Sequence, residues 1–439
     1  MKVGKYAALG GVAFSALILG TEAYAQAPAG SPGAPVVRPE RQENRSPAAI
    51  ASENYEAKGL PLGSFRLFPN LELNEIYNDN IYATPYGVSG KTGSFVQLIK
   101  PSADLRSDWN NHMLNFYARG TFGIYSANSL ENFQDFTVGT DGRLDIQRNW
   151  NVYGGASFNH LHEDRGTPNT STNASVPPNV YNQITANLGY YQKLNRFSGR
   201  LDGRIDNFNY VTQGAGPTNG LIFNGDRDRT EFRESLRLGY EFSPGYEAWT
   251  RGGLNQRRYV NTFDSLGFQR DSSGWDLVGG LTIDFGGITS IEAFAGYVQQ
   301  SYADFRFPQI SAPTFGLIGY WNPIRELVVK PFVRRTIEDS SLTTAAAYLN
   351  TAGGVDVDYQ MRPNIKLSGH GDYAFADYSQ TSGNTNQMDR YLTLRAGATY
   401  NLTPNLYTGL SYQLTHKTSN LINNDYDQNL FMLRLGARL

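Results

Sequence analysis

No cysteine occurs among the 439 residues. That excludes disulfides as a source of stability and a lipidated N-terminal thiol as an anchor. Beyond the N-terminus there is no unbroken apolar run of the ~18 residues a membrane helix needs, in keeping with a mean hydropathy of -0.44. Five histidines leave little imidazole for catalysis or metal binding. Charged residues make up 18%, less than the usual quarter or so. The net charge of -2, with no basic block or tail, gives no case for nucleic acid.

Aromatic residues and period-two alternation are abundant instead. The chain has 28 tyrosines and 24 phenylalanines. In the stretch from Phe136 to Gln147, Phe136, Val138, Leu144 and Ile146 share one strand face. Thr137, Gly139, Asp141, Arg143, Asp145 and Gln147 share the other. A strand that is apolar on one side and charged on the other suits a wall with lipid outside and water inside. Such a wall explains how a polar sequence can cross a bilayer, since only alternate side chains meet lipid. Closed on itself, it pairs every backbone donor and acceptor without disulfides. Aromatics flanking the lipid-facing band account for their excess.

The N-terminus reads as a signal peptide over 1–25. Lys2 and Lys5 precede the apolar run Ala7 to Gly20, and Ala23-Tyr24-Ala25 offers a cleavage site before Gln26. Residues 26–62, rich in Ala, Pro and Gly, read as a periplasmic extension. Ser46-Pro47 reads as a helix start and Gly59 as its stop, with a linker as the alternative. From 63 to 439 the chain reads as an outer-membrane barrel.

Short corners recur at 107–110, 148–151, 193–196, 243–245, 285–287, 321–323, 362–364 and 403–405. Their Pro, Gly and Asn supply the dihedrals of tight hairpins. Longer polar loops alternate with them, at about 83–93, 126–132, 163–180, 212–226, 261–273, 304–312, 338–344, 379–388 and 418–426. The expected fold is therefore all-β: a transmembrane, antiparallel, up-and-down β-barrel of about eighteen strands, with sixteen as the alternative count. Short turns belong on the periplasmic side and long loops outside. Trp109, Trp150 and Trp321 sit at short corners and Trp249 just past another, which suggests an interfacial girdle on that rim. The final stretch alternates too: Phe431, Leu433, Leu435, Ala437 and Leu439 oppose Arg434 and Arg438.

The segments Gly63 to Leu73, Tyr77 to Tyr82 and Lys100 to Trp109, with the hairpin through Gly123, resemble the putative β-barrel porin 2 family of outer-membrane proteins. So does Tyr153 to Phe158 with Leu161-His162-Glu163-Asp164-Arg165-Gly166. The resemblance runs from about Arg38 onward and is to the alphaproteobacterial type. It implies a porin-like fold and, through some relatives, an association with exopolysaccharide secretion.

Period two predicts inward rows of charge. Arg200, Arg204, Arg229, Arg233, Arg237, Arg251 and Arg257 form a basic wall, with Asp202, Asp206, Glu231 and Glu247 interleaved. Asp276, Asp284, Glu292, Asp356 and Asp358 form an acidic wall with few basic neighbours. Facing walls would set a field across a pore; the alternative is a salt-bridge ladder holding the wall together. Inward Tyr117, Tyr153 and Tyr407 are either sugar-stacking platforms or wall filler. His160 and His162 share a strand face beside Glu163 and Asp164, but no further ligand is signalled for a metal. His370 and Asp372 share a face without a nucleophile motif. No catalytic residue, metal or cofactor is therefore expected.

The expected work is passage of hydrophilic solutes through a charge-lined lumen. The alternatives are a secretion pore for an exopolysaccharide or capsular polysaccharide, and a structural or adhesive barrel with a blocked lumen. The expected partners are outer-membrane lipids and lipopolysaccharide, the barrel-assembly machinery, and a solute or polysaccharide cargo. Periplasmic export components join them in the secretion reading. The extension is too short for a receptor plug, and neither a passenger domain nor long heptads are present.

Overall fold

The computed structural model describes residues 55–87, 90–167, 173–211, 213–214, 221–222, 224–285, 288–340, 345–380 and 386–439. The signal peptide and the helix start at Ser46-Pro47 lie outside these residues.

Eighteen strands form one antiparallel ring. They are β1 (Phe65–Asn78), β2 (Ser94–Ser107), β3 (Met113–Tyr125), β4 (Phe133–Gln147), β5 (Trp150–His162) and β6 (Val180–Leu194). Next come β7 (Phe197–Tyr210), β8 (Arg229–Ser243), β9 (Tyr246–Tyr259), β10 (Ser272–Phe285), β11 (Thr289–Tyr302) and β12 (Ile310–Ile324). The ring ends with β13 (Leu327–Asp339), β14 (Ala345–Arg362), β15 (Ile365–Gln380), β16 (Met388–Asn401), β17 (Leu406–Ser419) and β18 (Tyr426–Arg438). Each strand pairs with its sequence neighbour, and β1 closes on β18 from Asn70↔Arg438 to Asn78↔Leu430. Among the described residues, helix is confined to 3-10 conformation, at Tyr55 and in the short turns Ser129–Glu131 and Gly225–Arg227.

The alternation sorts side chains as the sequence pattern demands. Leu71, Leu73, Phe95, Leu201, Leu236, Leu254, Leu277, Leu410, Phe431 and Leu433 are exposed on the outer face. Glu72, Asn74, Asp206, Arg233, Arg251 and Arg434, one position out of phase, are buried on the inner face. In an aqueous protein those leucines would cost solubility; against acyl chains they are in their own solvent.

Seven of the eight short corners fall where Pro, Gly and Asn place them, though residues 286–287 of the fifth lie outside the described chain. The sixth is displaced. Trp321, Asn322 and Pro323 still belong to β12, and the turn is at Arg325–Glu326. A register irregularity between Trp321 and Ile324 lets the strand run past Pro323, as a bulge at a strand end tolerates a residue without an N–H. At the N-terminus, Gly59 (φ +68) ends no helix but leads into a three-residue strand, Leu60–Leu62. That strand turns at Gly63 (φ +62) and pairs with β1 from Leu62↔Phe65 to Leu60↔Leu67.

The interface between β12 and β13 is open at its outer end. Above Gly316↔Arg334, β12 and β13 share no ladder pairs among the described residues.

Candidate functional site

The inner face is the candidate site, and its charges come from strand geometry. Residues two apart on a strand share a face, so an Arg followed two positions later by a carboxylate pairs within its own strand. Arg200 meets Asp202 at 2.7 Å, Arg204 meets Asp206 at 2.7 Å, and Arg229 meets Glu231 at 2.8 Å. Cross-strand neighbours extend the chain of pairs. Arg233 reaches Asp206 on β7 at 3.2 Å as well as Glu231 on its own strand. Arg257 on β9 lies 3.8 Å from Glu231. Glu231 is thus enclosed by three guanidinium groups.

The residues read as a separate acidic wall are not separate. Asp276 on β10 takes a 2.6 Å bond from Arg251 on adjacent β9. Glu292 on β11 takes two bonds from Arg237, at 3.0 and 3.2 Å. Asp358 is bridged by Lys330 at 3.5 Å and Lys366 at 3.0 Å, and Asp356 by His370 at 2.7 Å. Asp284 lies on the same inward row of β10, at its periplasmic end. For Asp276 and Glu292 the expectation of few basic neighbours fails because register lays β10 and β11 beside the arginines of β8 and β9. For Asp356 and Asp358 it fails because β13 and β15, on either side of β14, bring Lys330, Lys366 and His370.

Inward cations recur elsewhere on the ring, and apart from Arg434 sequence reasoning overlooked them. Lys417 pairs with Asp389 at 3.1 Å, Arg434 lies 3.7 Å from Glu72, and Arg119 pairs with Asp104 at 3.2 Å. The Arg119 side chain is 59% exposed, unusually open for an inner-face arginine. Period two marked all of these positions, but scattered along the chain they do not read as a row.

Inward aromatics lie flat on inward glycines of neighbouring strands. Tyr117 faces Gly139, Tyr153 faces Gly189 and Tyr407 faces Gly436 in direct register. In each case a Cβ on the glycine would fall within 2.4 Å of the tyrosine side chain. The Tyr407 hydroxyl donates to Glu72 at 2.9 Å and lies 3.2 Å from the Asn70 side-chain oxygen. That of Tyr153 donates to Asp202. These rings brace the wall.

Trp249 belongs to the same class and not to the girdle expected of it. It is 5% exposed, and its indole N–H donates to Thr282 at 3.1 Å. Thr282 in turn donates to Glu292 at 2.9 Å, and Arg237 stacks on the indole 3.8 Å from the centroid. Its odd-numbered place on β9, shared with Arg251, turns it inward. Trp109 and Trp321, by contrast, are exposed.

His160 and His162 do not converge. His160 stacks on Phe136 and bonds Asn182 at 2.7 Å. His162 stacks on Phe133 and sits between Asp135 and Asp164. His370 lies between Asp356 and Asp372, at 2.7 and 2.8 Å. Among the described residues no group of three or more His, Cys, Asp or Glu side chains is placed to hold a metal.

Over the outer mouth, the loop after β1 is fastened to the last strand. Asn80 is fully buried, and its side chain donates to the carbonyls of Thr84 and Asp427 at 3.2 and 3.0 Å. Arg165 binds Glu131 at 2.6 Å beside Tyr82. Below this loop, Ile76, Val96, Leu98, Leu430 and Met432 form an apolar cluster on the inner face.

Among solved structures the chain is similar to OpdO of Pseudomonas aeruginosa, with 15% identity over 85% of this chain and 97% of that one, and a TM-score of 0.44. It is similar to OpdK of the same organism, with 12% identity, coverage of 85% and 99%, and a TM-score of 0.43. A BenF-like porin from Pseudomonas fluorescens Pf-5 shows 10% identity, coverage of 86% and 100%, and a TM-score of 0.45. No curated protein matches the chain. A family model described as Putative beta-barrel porin 2 matches residues 53–439, nearly all of the described chain, and the protein belongs to that family of porin-like outer-membrane β-barrels.

Proposed function

We propose that the barrel passes small hydrophilic solutes across the outer membrane through a lumen lined by paired charges. The observation that carries this reading is the inner face itself: Arg, Lys, Asp and Glu side chains recur around the ring. They are held as dipoles by pairs such as Arg251–Asp276 and Lys417–Asp389. Alternating fixed charges of both signs orient water and ease the transfer of polar solutes, while excluding apolar ones. The near balance of signs favours general passage over strong preference for cations or anions.

Passage of solutes is favoured over polysaccharide export by the state of the inward tyrosines. A sugar slide needs rings free to stack, and those of Tyr153 and Tyr407 are laid on glycines with their hydroxyls engaged by carboxylates.

Purified mature protein reconstituted in planar bilayers tests the reading. Discrete ohmic steps that scale with salt concentration, reduced by small neutral sugars entering the pore, are expected. A folded barrel that inserts without conducting overturns it.

A further inference from the structure

The outer end of the β13–β14 hairpin departs from the alternation seen in strands such as β8 and β9, where every second residue is exposed to lipid over much of the strand. Here Thr336, Ile337, Ser340, Ala345, Ala346, Ala347 and Tyr348 are all between 0 and 5% exposed, whichever face they belong to. A strand with both faces buried is not a single-layer wall; something covers each side.

The cover on one side is identified by packing. Ile337 and Ala347 lie on the faces of β13 and β14 that would point to lipid, as Val333 does lower on the same strand. Yet they cluster with Val298 of β11 and with Ile310 and Ala312 of β12, which point inward. An outward face packed on an inward face means that one layer lies inside the other. The lost ladder above Gly316↔Arg334 has the same meaning: β12 and β13 separate there, and β13 passes beneath. Pro313, in the released part of β12, is a residue typical of strand edges.

Polar contacts hold the hairpin in that place. The Thr314 hydroxyl donates to the Arg335 carbonyl at 2.7 Å. Arg270, from the loop before β10, donates to the Ser340 carbonyl at 3.2 Å while bound to Asp264 at 2.8 Å. The opposite face of the hairpin carries Arg334, Thr336 and Glu338. Glu338 lies within electrostatic reach of Arg233 on β8 and Arg257 on β9, as well as Arg334. Those strands lie five and four places round the ring from β13, so the hairpin reaches toward them across the lumen.

We propose that the outer parts of β13 and β14, residues 334–340 and 345–349, are folded into the lumen as the pore's constriction. Glu338 and Arg334 on the other face, within electrostatic reach of Arg233 and Arg257, then set which ions pass. This rests on the reading of the barrel as a channel, but the position of the hairpin is testable without conduction.

The absence of native cysteine makes the positional test clean. Two single variants, Ile337→Cys and Val333→Cys, are reconstituted in vesicles and exposed to a lipid-soluble and a water-soluble maleimide. Val333, 37% exposed on the outer face, is expected to label from the lipid phase. The thiol at 337 is expected to resist both reagents until the protein is denatured. Labelling of 337 from lipid as readily as 333 places the hairpin in the wall and overturns the proposal.

In bilayers, a variant joining Arg335 to its cross-strand partner Thr351 through an Asn-Gly turn is expected to conduct roughly twofold more or better. Glu338→Gln is expected to shift the reversal potential in a KCl gradient toward anions, and Arg334→Gln toward cations. Wild-type conductance with no change in any of the three variants overturns the constriction. A non-conducting wild type in which 337 is still shielded instead overturns the channel reading and leaves the inserted hairpin standing.

Discussion

Trp249 and Gly280 face each other in direct register across β9 and β10, and the indole occupies the space a side chain at Gly280 would need. A Cβ there would lie 2.5 Å from the ring and 2.7 Å from the Ala293 carbonyl oxygen. The indole cannot yield freely, because Thr282 holds its N–H and Arg237 covers its face. Gly280→Ala is therefore expected to cost about 1–3 kcal/mol through overpacking. Gly252→Ala, where a Cβ meets nothing within 4 Å, should be neutral or slightly stabilising. Urea unfolding midpoints of the two variants in detergent or vesicles make the comparison.

Arg237 on β8 joins four strands by binding Glu247 on β9, Thr282 on β10 and Glu292 on β11. Its side chain is 5% exposed and that of Glu292 is 12% exposed. Arg237→Met removes a guanidinium shared by two carboxylates in a poorly hydrated stretch of wall. A loss of about 3 kcal/mol is expected. Adding Glu292→Gln to the same chain should recover part of it, since one stranded charge is then removed. A double variant no more stable than the single would show that the pair is held independently of charge.

Much of the ring was legible because its signals are local. The Pro-Gly at Pro244-Gly245 and the Pro-Asn at Pro363-Asn364 mark turns by dihedral preference alone. Alternation assigns Arg251 or Leu254 to a face without knowledge of any other strand. What stayed hidden depends on relations between strands. The partnership of Asp276 with Arg251 is a matter of register, and a slip of two residues would have paired it elsewhere with the same pattern. The inward turn of Thr336, Ile337 and Glu338 is invisible for a related reason. Their alternation is that of any wall strand, and only the layer above Ile337 distinguishes the two. Pro323 misled because a bulge can absorb a residue that usually stops a strand.

The loops of residues 260–271 and 303–309 are locked by two carboxylates. Asp304 takes bonds from the Arg306 guanidinium at 2.6 and 2.8 Å and from the N–H groups of Gln269 and Arg306. The Arg306 guanidinium foremost, then those N–H groups, hold its carboxyl well below the usual carboxylate range against the effect of burial. Asp264 is pushed up by burial. It is pulled down further by the N–H groups of Phe268 and Leu266 and by Arg270, so it too ends below its usual value. A depressed folded pKa contributes stability that is complete above the unfolded value of about 4 and drains away as pH falls toward the folded one. Cleavage of these loops by an added protease should therefore be flat from pH 7 to about 5. Below about pH 4, acid-stable pepsin should cut them progressively faster. Asp304→Asn should bring severalfold faster cleavage at neutral pH. Loops already open at pH 5 would contradict the assignment.

At the seam, β18 is too short to cover β1. Its ladder stops at Asn70↔Arg438, with one more bond from the Leu439 N–H to the Pro69 carbonyl at 3.1 Å. Phe65 to Leu67 would be a bare edge at the membrane rim had Leu60–Leu62 not folded back onto it. Leu60 and Leu62 are exposed in line with the lipid-facing Leu67 and Phe65, so the short strand continues the wall. Arg438 fastens the junction, donating to the carbonyls of Tyr55 at 2.6 Å and Pro404 at 3.1 Å. Truncation before Gly63 strips backbone partners from β1 where little water can replace them, a loss of about 2–3 kcal/mol. Arg438→Ala, which loosens the segment without removing it, should cost less. Both are read as urea midpoints of the refolded barrel. A truncated chain as stable as the full one would mean that the rim is wet enough for water to satisfy that edge, and that the N-terminal strand merely rests there.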